Sequence, residues 1–227
     1  MTSIHIARSF VAAESVAELI ATEYDVATPV SCRMFSKLLR TQDNDHYLAT
    51  AGDGTQYAFR IYQQGDRFHR AEADYLYEID WLRFLREHNL PVSYPIRRRD
   101  GGYVGRLDAP EGPRYYALFS LAYGDPLALK DVDQLYIVGE TMARIHVPSD
   151  SFTTPHARKP NDLAYLLDRP LERIRRNWTD ERAANLDLVL TAAEEAREEL
   201  RDYIDASASV PGRWGPIGGD FHQSSVY

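Results

Sequence analysis

Apolar and polar positions recur at different periods in the two halves of the chain. Near the N-terminus, Val16-Ala17-Glu18-Leu19-Ile20 is amphipathic and predicts a short helix. After Thr28-Pro29 the pattern turns strand-like, with Ser36 to Leu39 and Tyr47 to Thr50 flanking a polar loop. Ala51-Gly52-Asp53-Gly54 predicts a hairpin turn, because Asp-Gly tolerates positive φ. The aromatic-rich run Tyr57 to Tyr62 predicts the strand that follows it. From Phe68 to His88 the spacing of Leu76, Ile79, Leu82 and Leu85 predicts a helix, stopped at Asn89 before Leu90-Pro91. Arg97 to Gly102 reads as a second hairpin turn, and Arg114 to Leu121 as a further strand ending at Tyr123-Gly124.

From Asp131 onward the period is helical. Leu135, Val138, Met142 and Ile145 line one face of a helix ending near His146. Asn161 to Asn177 predicts helix interrupted at Pro170, since proline has no N–H to donate. Thr179 is placed to cap a long helix that keeps 3.6-residue spacing from Leu186 to Ile204. The expected class is therefore α+β, with two lobes. Residues 1–122 would form an antiparallel sheet with one long helix. Residues 123–227 would form a helical lobe, with a cleft between them where ligands prefer to bind.

Composition narrows the picture. At 227 residues the chain has room for one large domain or two small lobes. Hydrophobic content of 44% and charged content of 26% are globular averages. The charge sum, 26 − 34 = −8, argues against nucleic acid or an anionic membrane as the main partner. No run approaches the ~18 apolar residues of a membrane span. Met1 to Glu14 lacks the apolar core of a secretory signal, and Cys32 is the one cysteine, so the expected location is cytoplasmic.

Several chemistries lack their motifs. The histidines (His5, His46, His69, His88, His146, His156 and His222) show no i,i+4 pairing that would hold a metal. There is no Gly-x-Ser-x-Gly elbow, no P-loop and no Gly-x-Gly-x-x-Gly. The run Arg97-Arg98-Arg99 reads better as a solvated turn than as an anion site. The acidic strip Glu194-Glu195, Glu198-Glu199 and Asp202 reads better as a solvated helix face than as a trap for a cationic substrate.

What remains is a constellation spread over both halves. Arg60 lies mid-strand on the face of Ala58 and Tyr62, opposite Phe59 and Ile61. Glu78 lies about two turns into the following helix. A cation on a strand paired with a carboxylate on the packed helix is how protein kinases hold ATP phosphates. Near the C-terminus, Asp220 precedes Ser225 by five residues, directly after a short apolar strand. In kinase catalytic loops an Asp accepts the substrate hydroxyl proton, and a metal ligand follows five residues later.

On these residues the chain resembles the aminoglycoside phosphotransferase, choline kinase and homoserine kinase superfamily, especially its bacterial phosphotransferase enzyme branch. The resemblance covers about residues 25 to 227. Tyr57 to Tyr62 resembles the family strand Y-x-L-R/K-V-Y, and Tyr77 to Leu85 its helix E-L-x-x-L-x-x-L. Ala109 to Gly124 resembles the hinge strand, Gly139 to His146 the motif G-x-x-L-A-x-L-H, and Gly218 to His222 the motif H-G-D-L/F-H. The resemblance implies a protein-kinase-like fold and an ATP- and Mg2+-dependent phosphotransferase. The acceptor would be a hydroxyl of a small molecule or of a Ser/Thr side chain. Asp220 would be the catalytic base, Arg60 would contact ATP phosphates and Glu78 would orient it. Backbone groups around Ser120 to Ala122 would hold adenine, and the loop from Arg40 to His46 would cover the phosphates.

Three departures stand out. Gly218 occupies the usual His position, and Ser225 occupies the place of the metal-binding Asn, where a hydroxyl is a weaker ligand. The resemblance implies a second metal-binding Asp a short distance past the position of Tyr227, and residues 1–227 do not include it. The expectation is therefore a phosphotransferase impaired by a truncated metal segment, or alternatively an inactive nucleotide-binding or interaction module. An uncovered helical face would then favour self-association.

Overall fold

The computed structural model describes residues 6, 8–35, 44–63, 71–124, 131–179, 183–208, 210, 212, 213 and 215–217. The chain runs α1 (Ala13–Glu23), β1 (Ser31–Met34), β2 (Asp45–Thr50), β3 (Gln56–Ile61), α2 (Glu72–Glu87), β4 (Gly105–Ala109) and β5 (Gly112–Ser120). The helices α3 (Val132–Ser149), α4 (Arg169–Arg176) and α5 (Ala183–Ala208) follow, giving an α+β architecture. All strand pairs are antiparallel in one sheet of order β1-β2-β3-β5-β4.

Strand alternation builds two layers on this sheet. Tyr47 and Ala49 of β2, Phe59 and Ile61 of β3, and Tyr116 and Leu118 of β5 pack with Val16, Ile20 and Tyr24 on the α1 side. The opposite face carries Ala58, Tyr62, Ala117 and Phe119, covered by Tyr75, Ile79 and Leu82 of α2. Each fully buried side chain of this size contributes roughly 1.5–3 kcal/mol, so a helix on each face holds the sheet firmly. The Asp-Gly hairpin forms as its sequence predicts. Asp53 Oδ1 accepts from Thr55 N at 2.9 Å, and Gly54 sits at φ 86°.

Local boundaries differ from the sequence reading in instructive ways. The first strand is β1 at Ser31–Met34, while the expected strand at Ser36 to Leu39 lies outside the described residues. The turn at Arg98–Gly102 exists, with Gly101 N donating to Arg98 O, but it does not join two ladder strands. The hairpin is instead β4–β5, turning at Pro110-Glu111. Strand β4 escapes the pattern because it is an edge strand whose side chains beyond Gly105 are not buried. Helix α2 begins at Glu72; the expected start, Phe68, lies outside the described residues. Helix α3 runs on to Ser149. At Pro170 the helix is not broken. A wide π-type turn, Ala164–Asp168, leads directly into α4, with Pro170 in its first turn. The helix runs on through Pro170, and the widened turn just before it is where the i→i−4 ladder is already interrupted, so proline's missing N–H is accommodated there. The residues Thr179 would cap, 180–182, lie outside the described residues.

The helical half meets the sheet half through α2. Leu85 and Leu90 are buried with Ile145 of α3, and Trp81, Phe84 and Val92 pack against them. Elsewhere the helices are thinly covered: Tyr136, Leu188 and Tyr203 are exposed. No helix among the described residues is long and apolar enough to cross a membrane.

Candidate functional site

Arg60 and Glu78 meet as the sequence pattern implies. Alternation on β3 turns Arg60 toward α2, and Arg60 Nη1 donates to Glu78 Oε1 at 2.8 Å. Both side chains are largely buried, Arg60 keeping 28% of its surface exposed. The guanidinium lies 4.9 Å from the centre of the Phe119 ring and 5.7 Å from that of Tyr62. Burial alone would pull the Arg60 pKa down. The Glu78 carboxylate and the Tyr62 oxygen outweigh it, and the group is held above its ordinary value. Burial, with Glu78 beside it, also pushes the Tyr62 hydroxyl up, so it stays a neutral phenol.

One partner of this pair was not singled out by sequence. His46 stands in β2 directly across from Arg60, and Arg60 Nε donates to His46 Nε2 at 3.2 Å. Sequence reading assigned His46 to the polar phosphate-covering loop. The alternation Asp45-His46-Tyr47-Leu48 carried the missing signal, placing His46 on the Arg60 face and Asp45 on the other. The rest of the expected loop, residues 40–43, lies outside the described residues.

Helix α2 is held from behind by the last residue of α3 and the segment after it. Trp81 Nε1 donates to Ser149 Oγ at 2.8 Å. Phe152 sits edge-on to both Tyr77 and Phe84, each 5.4 Å away. Thr154 Oγ1 donates to Asp80 Oδ2 at 2.6 Å, and Lys159 N donates to Asp74 Oδ1 at 3.0 Å. Asp74 also accepts from Ala71 N at 2.8 Å, closing the first turn of α2. The carboxylate of Glu78 thus projects from a helix fixed on both sides.

At the end of β5, Ser120 is already committed. Its N–H donates to Tyr94 O at 2.9 Å, its carbonyl accepts from Ser93 Oγ at 3.0 Å, and its Oγ accepts from Tyr94 N at 3.0 Å. Ala122, two residues on, is exposed, and its N–H and C=O make no hydrogen bond among the described residues. Of the two positions expected to hold adenine, Ala122 has peptide groups to offer, whereas Ser120 anchors the strand end.

The expected catalytic and metal residues, Asp220 and Ser225, lie outside the described residues, as does Gly218. Among the described residues no cluster of three or more His, Cys, Asp or Glu could hold a metal ion. Arg60 has the chemistry to take a phosphate oxygen, and the peptide groups of Ala122, unbonded among the described residues, the chemistry to take a base edge. A Mg2+ ion finds no donor set among the described residues.

Other charged features are structural. Arg98 pairs with Glu23 at 3.0 Å and Asp100 at 2.7 Å, so the arginine run is a braced turn. On α5, Arg197 bonds Glu194 at 3.2 Å and also Asp168, while Glu195, Glu198 and Glu199 stay exposed. A buried ion pair escaped the sequence reading altogether. Arg114, 1% exposed, donates to Asp45 Oδ2 at 2.6 Å, and Asp45 is fully buried. Arg8 bonds the same carboxylate, and Arg114 Nη1 donates to Ser9 O at 3.0 Å, so the N-terminal segment is tied across the sheet end.

A five-stranded antiparallel sheet, a helix carboxylate paired to a strand cation and a following helical half define a kinase-like architecture. Comparison with known proteins agrees. The model of the phosphotransferase enzyme family matches residues 35–226, and the chain belongs to that family. An uncharacterised protein of Synechocystis sp. is 36% identical over 73% of this chain and 44% of its own length. An uncharacterised protein of Deinococcus radiodurans is 33% identical over 97% of this chain and 61% of its own. Among solved structures, a microcompartment-associated aminopropanol kinase superposes with TM-score 0.67 at 25% identity, covering 93% of this chain and 63% of that one. An amicoumacin kinase in complex with AMP-PNP, Ca2+ and Ami shares the fold with TM-score 0.61 at 20% identity, covering 83% and 53%. The chain thus spans about half to two thirds of the length of the proteins it matches.

Proposed function

We propose that this chain carries the nucleotide-binding part of an ATP-dependent phosphotransferase, acting in the cytoplasm, that delivers the γ-phosphoryl group to a hydroxyl. The observation that carries the reading is the Arg60–Glu78 pair at 2.8 Å, on the same sheet whose β5 leads to the uncommitted peptide groups of Ala122. Residues 1–122 would serve as the nucleotide lobe and 123–227 as part of the helical lobe that meets the acceptor. When bound, ATP supplies the transferable phosphoryl group and Mg2+ neutralises its charge, with Ser225 as a candidate ligand.

The chain's own residues divide the work. Arg60 holds a phosphate oxygen, and Glu78 fixes the guanidinium in place. Ala122 offers a donor and an acceptor to the adenine edge, while Ser120 anchors the strand from which they project. Asp220 takes the proton of the acceptor hydroxyl as the new O–P bond forms and the bond to ADP breaks. A small-molecule amino alcohol is the first acceptor class to screen, since the aminopropanol kinase is a solved neighbour, with peptide Ser/Thr as the second.

Calorimetric titration of the intact chain with AMP-PNP, with and without Mg2+, tests the reading. Saturable binding that Mg2+ strengthens and Arg60→Ala weakens about tenfold or more supports it. Absence of binding by the intact chain sinks it.

A further inference from the structure

Arginine in place of lysine at this strand position creates a need that lysine would not have. A lysine ends in one ammonium, whereas arginine carries an Nε–H part-way along its side chain. Here that group lies between the sheet and α2, where a donor left without an acceptor is costly. The acceptor is His46 Nε2 at 3.2 Å, on the residue directly opposite Arg60 in the β2–β3 register. The His46 ring lies in turn 5.7 Å from the Phe35 ring, at the end of β1.

Two of the three guanidinium nitrogens are therefore fixed by different elements: Nε by β2 through His46, and Nη1 by α2 through Glu78. Two bonds to a planar group define its plane as well as its position. The Tyr62 phenol also lies against the guanidinium, and Nη2, bonded to no carboxylate or carbonyl of the described residues, is then held in one direction. A donor fixed before the ligand arrives costs less ordering on binding than one free to rotate.

We propose that His46 is a positioning residue for the nucleotide site: as the neutral Nδ1–H tautomer it fixes the Arg60 guanidinium so that Nη2 faces a nucleotide phosphate. This rests on the phosphotransferase reading above and adds to it the residue that adapts the site to arginine. His46 touches no substrate. Its effect passes through Arg60 Nε, so it vanishes when residue 60 has no Nε.

The test is a double-mutant cycle on AMP-PNP affinity with Mg2+, measured calorimetrically on the intact chain. His46→Phe, which keeps a ring beside Phe35 and removes the acceptor, weakens binding about tenfold. His46→Gln, whose amide oxygen can accept from Nε, restores most of the affinity. In an Arg60→Lys background the same His46→Phe change alters affinity less than about twofold. Equal losses in both backgrounds, or no loss in the arginine background, overturn the proposal while leaving the phosphotransferase reading intact. Failure of the unmodified chain to bind AMP-PNP sinks that reading, and this one with it. Should His46→Phe fail to fold, ring nitrogen chemical shifts of the unmodified chain decide independently. An Nδ1–H tautomer with Nε2 accepting is expected, and an Nε2–H tautomer overturns the proposal.

Discussion

Trp81 Nε1 donates to Ser149 Oγ at 2.8 Å, joining the sheet-covering helix α2 to the end of α3 across 68 residues of sequence. Ser149 Oγ passes the bond on, donating to Ile145 O at 2.7 Å. Through this chain the second half of the molecule fixes the helix that carries Glu78. Trp81→Phe keeps most of the apolar contact and removes the donor. It should lower stability by about 1 kcal/mol, the usual worth of such a bond. Urea unfolding read from an unchanged m-value checks this, and an unchanged midpoint would mean the bond is not formed in solution.

Arg114 and Asp45 are both buried, and each depends on the other. Removing Arg114 leaves the buried Asp45 carboxylate with Arg8 alone, and a buried charge that loses a partner costs up to roughly 3–5 kcal/mol. Arg114→Met should therefore unfold at far lower denaturant than the unmodified chain. The double variant Arg114→Met with Asp45→Leu should recover part of the loss, since replacing both charges by apolar groups is often close to neutral.

Glu111 ties Ser9 to the sheet end, accepting from Ser9 N at 3.1 Å and Ser9 Oγ at 2.8 Å. Burial raises its pKa, but the Ser9 donors and Arg114 outweigh burial, so the folded value lies below the ordinary carboxylate range. A depressed folded pKa means stability that is present above the unfolded value, about 4.3, and is lost as pH falls through the folded one. Protection of the amides at residues 8–12, taken relative to their intrinsic exchange rate at each pH, should thus fall in acid before that of the sheet does. Glu111→Gln should flatten that pH dependence.

Glu78→Gln keeps a hydrogen-bonding oxygen for Arg60 and removes the charge. AMP-PNP affinity should fall about threefold to tenfold, with a smaller effect on thermal melting, because the substituted amide oxygen still accepts from Arg60. A large fall in melting temperature with unchanged affinity would place the pair in the scaffold instead.

Asp220→Asn should separate chemistry from binding. Loss of a general base costs about 10²–10⁴ in rate, whereas AMP-PNP affinity should stay within about threefold. Steady-state ADP release against calorimetric affinity reads the two apart. Equal turnover by both proteins would remove Asp220 from the mechanism.

The strand and helix periods around the site are properties of the local sequence. Alternation in Tyr57 to Tyr62 puts Arg60 and Phe59 on opposite faces, and the 3.6-residue period of α2 sets Ile79 and Leu82 against the sheet. The ordered short motifs carried the family. Where side chains met only at a distance, the sequence was silent. Strand β4 has too little buried apolar surface to show a period, and Asp45 and His46 read as polar loop because charge usually marks solvent.

Sequence alone therefore determined β3, α2 and the long helices, their inward faces and the identity of the cation at position 60, because those follow from backbone periodicity within a few residues, whereas β1 and β4 carried too little of it. Tertiary structure decided the partners: His46 opposite Arg60, Asp45 beneath Arg114, Trp81 against Ser149, and Ser120 already bonded to Tyr94. Each of those pairings is set by strand register and helix docking, which depend on residues 14 to 69 positions apart, and only the closed fold brings them within hydrogen-bonding distance.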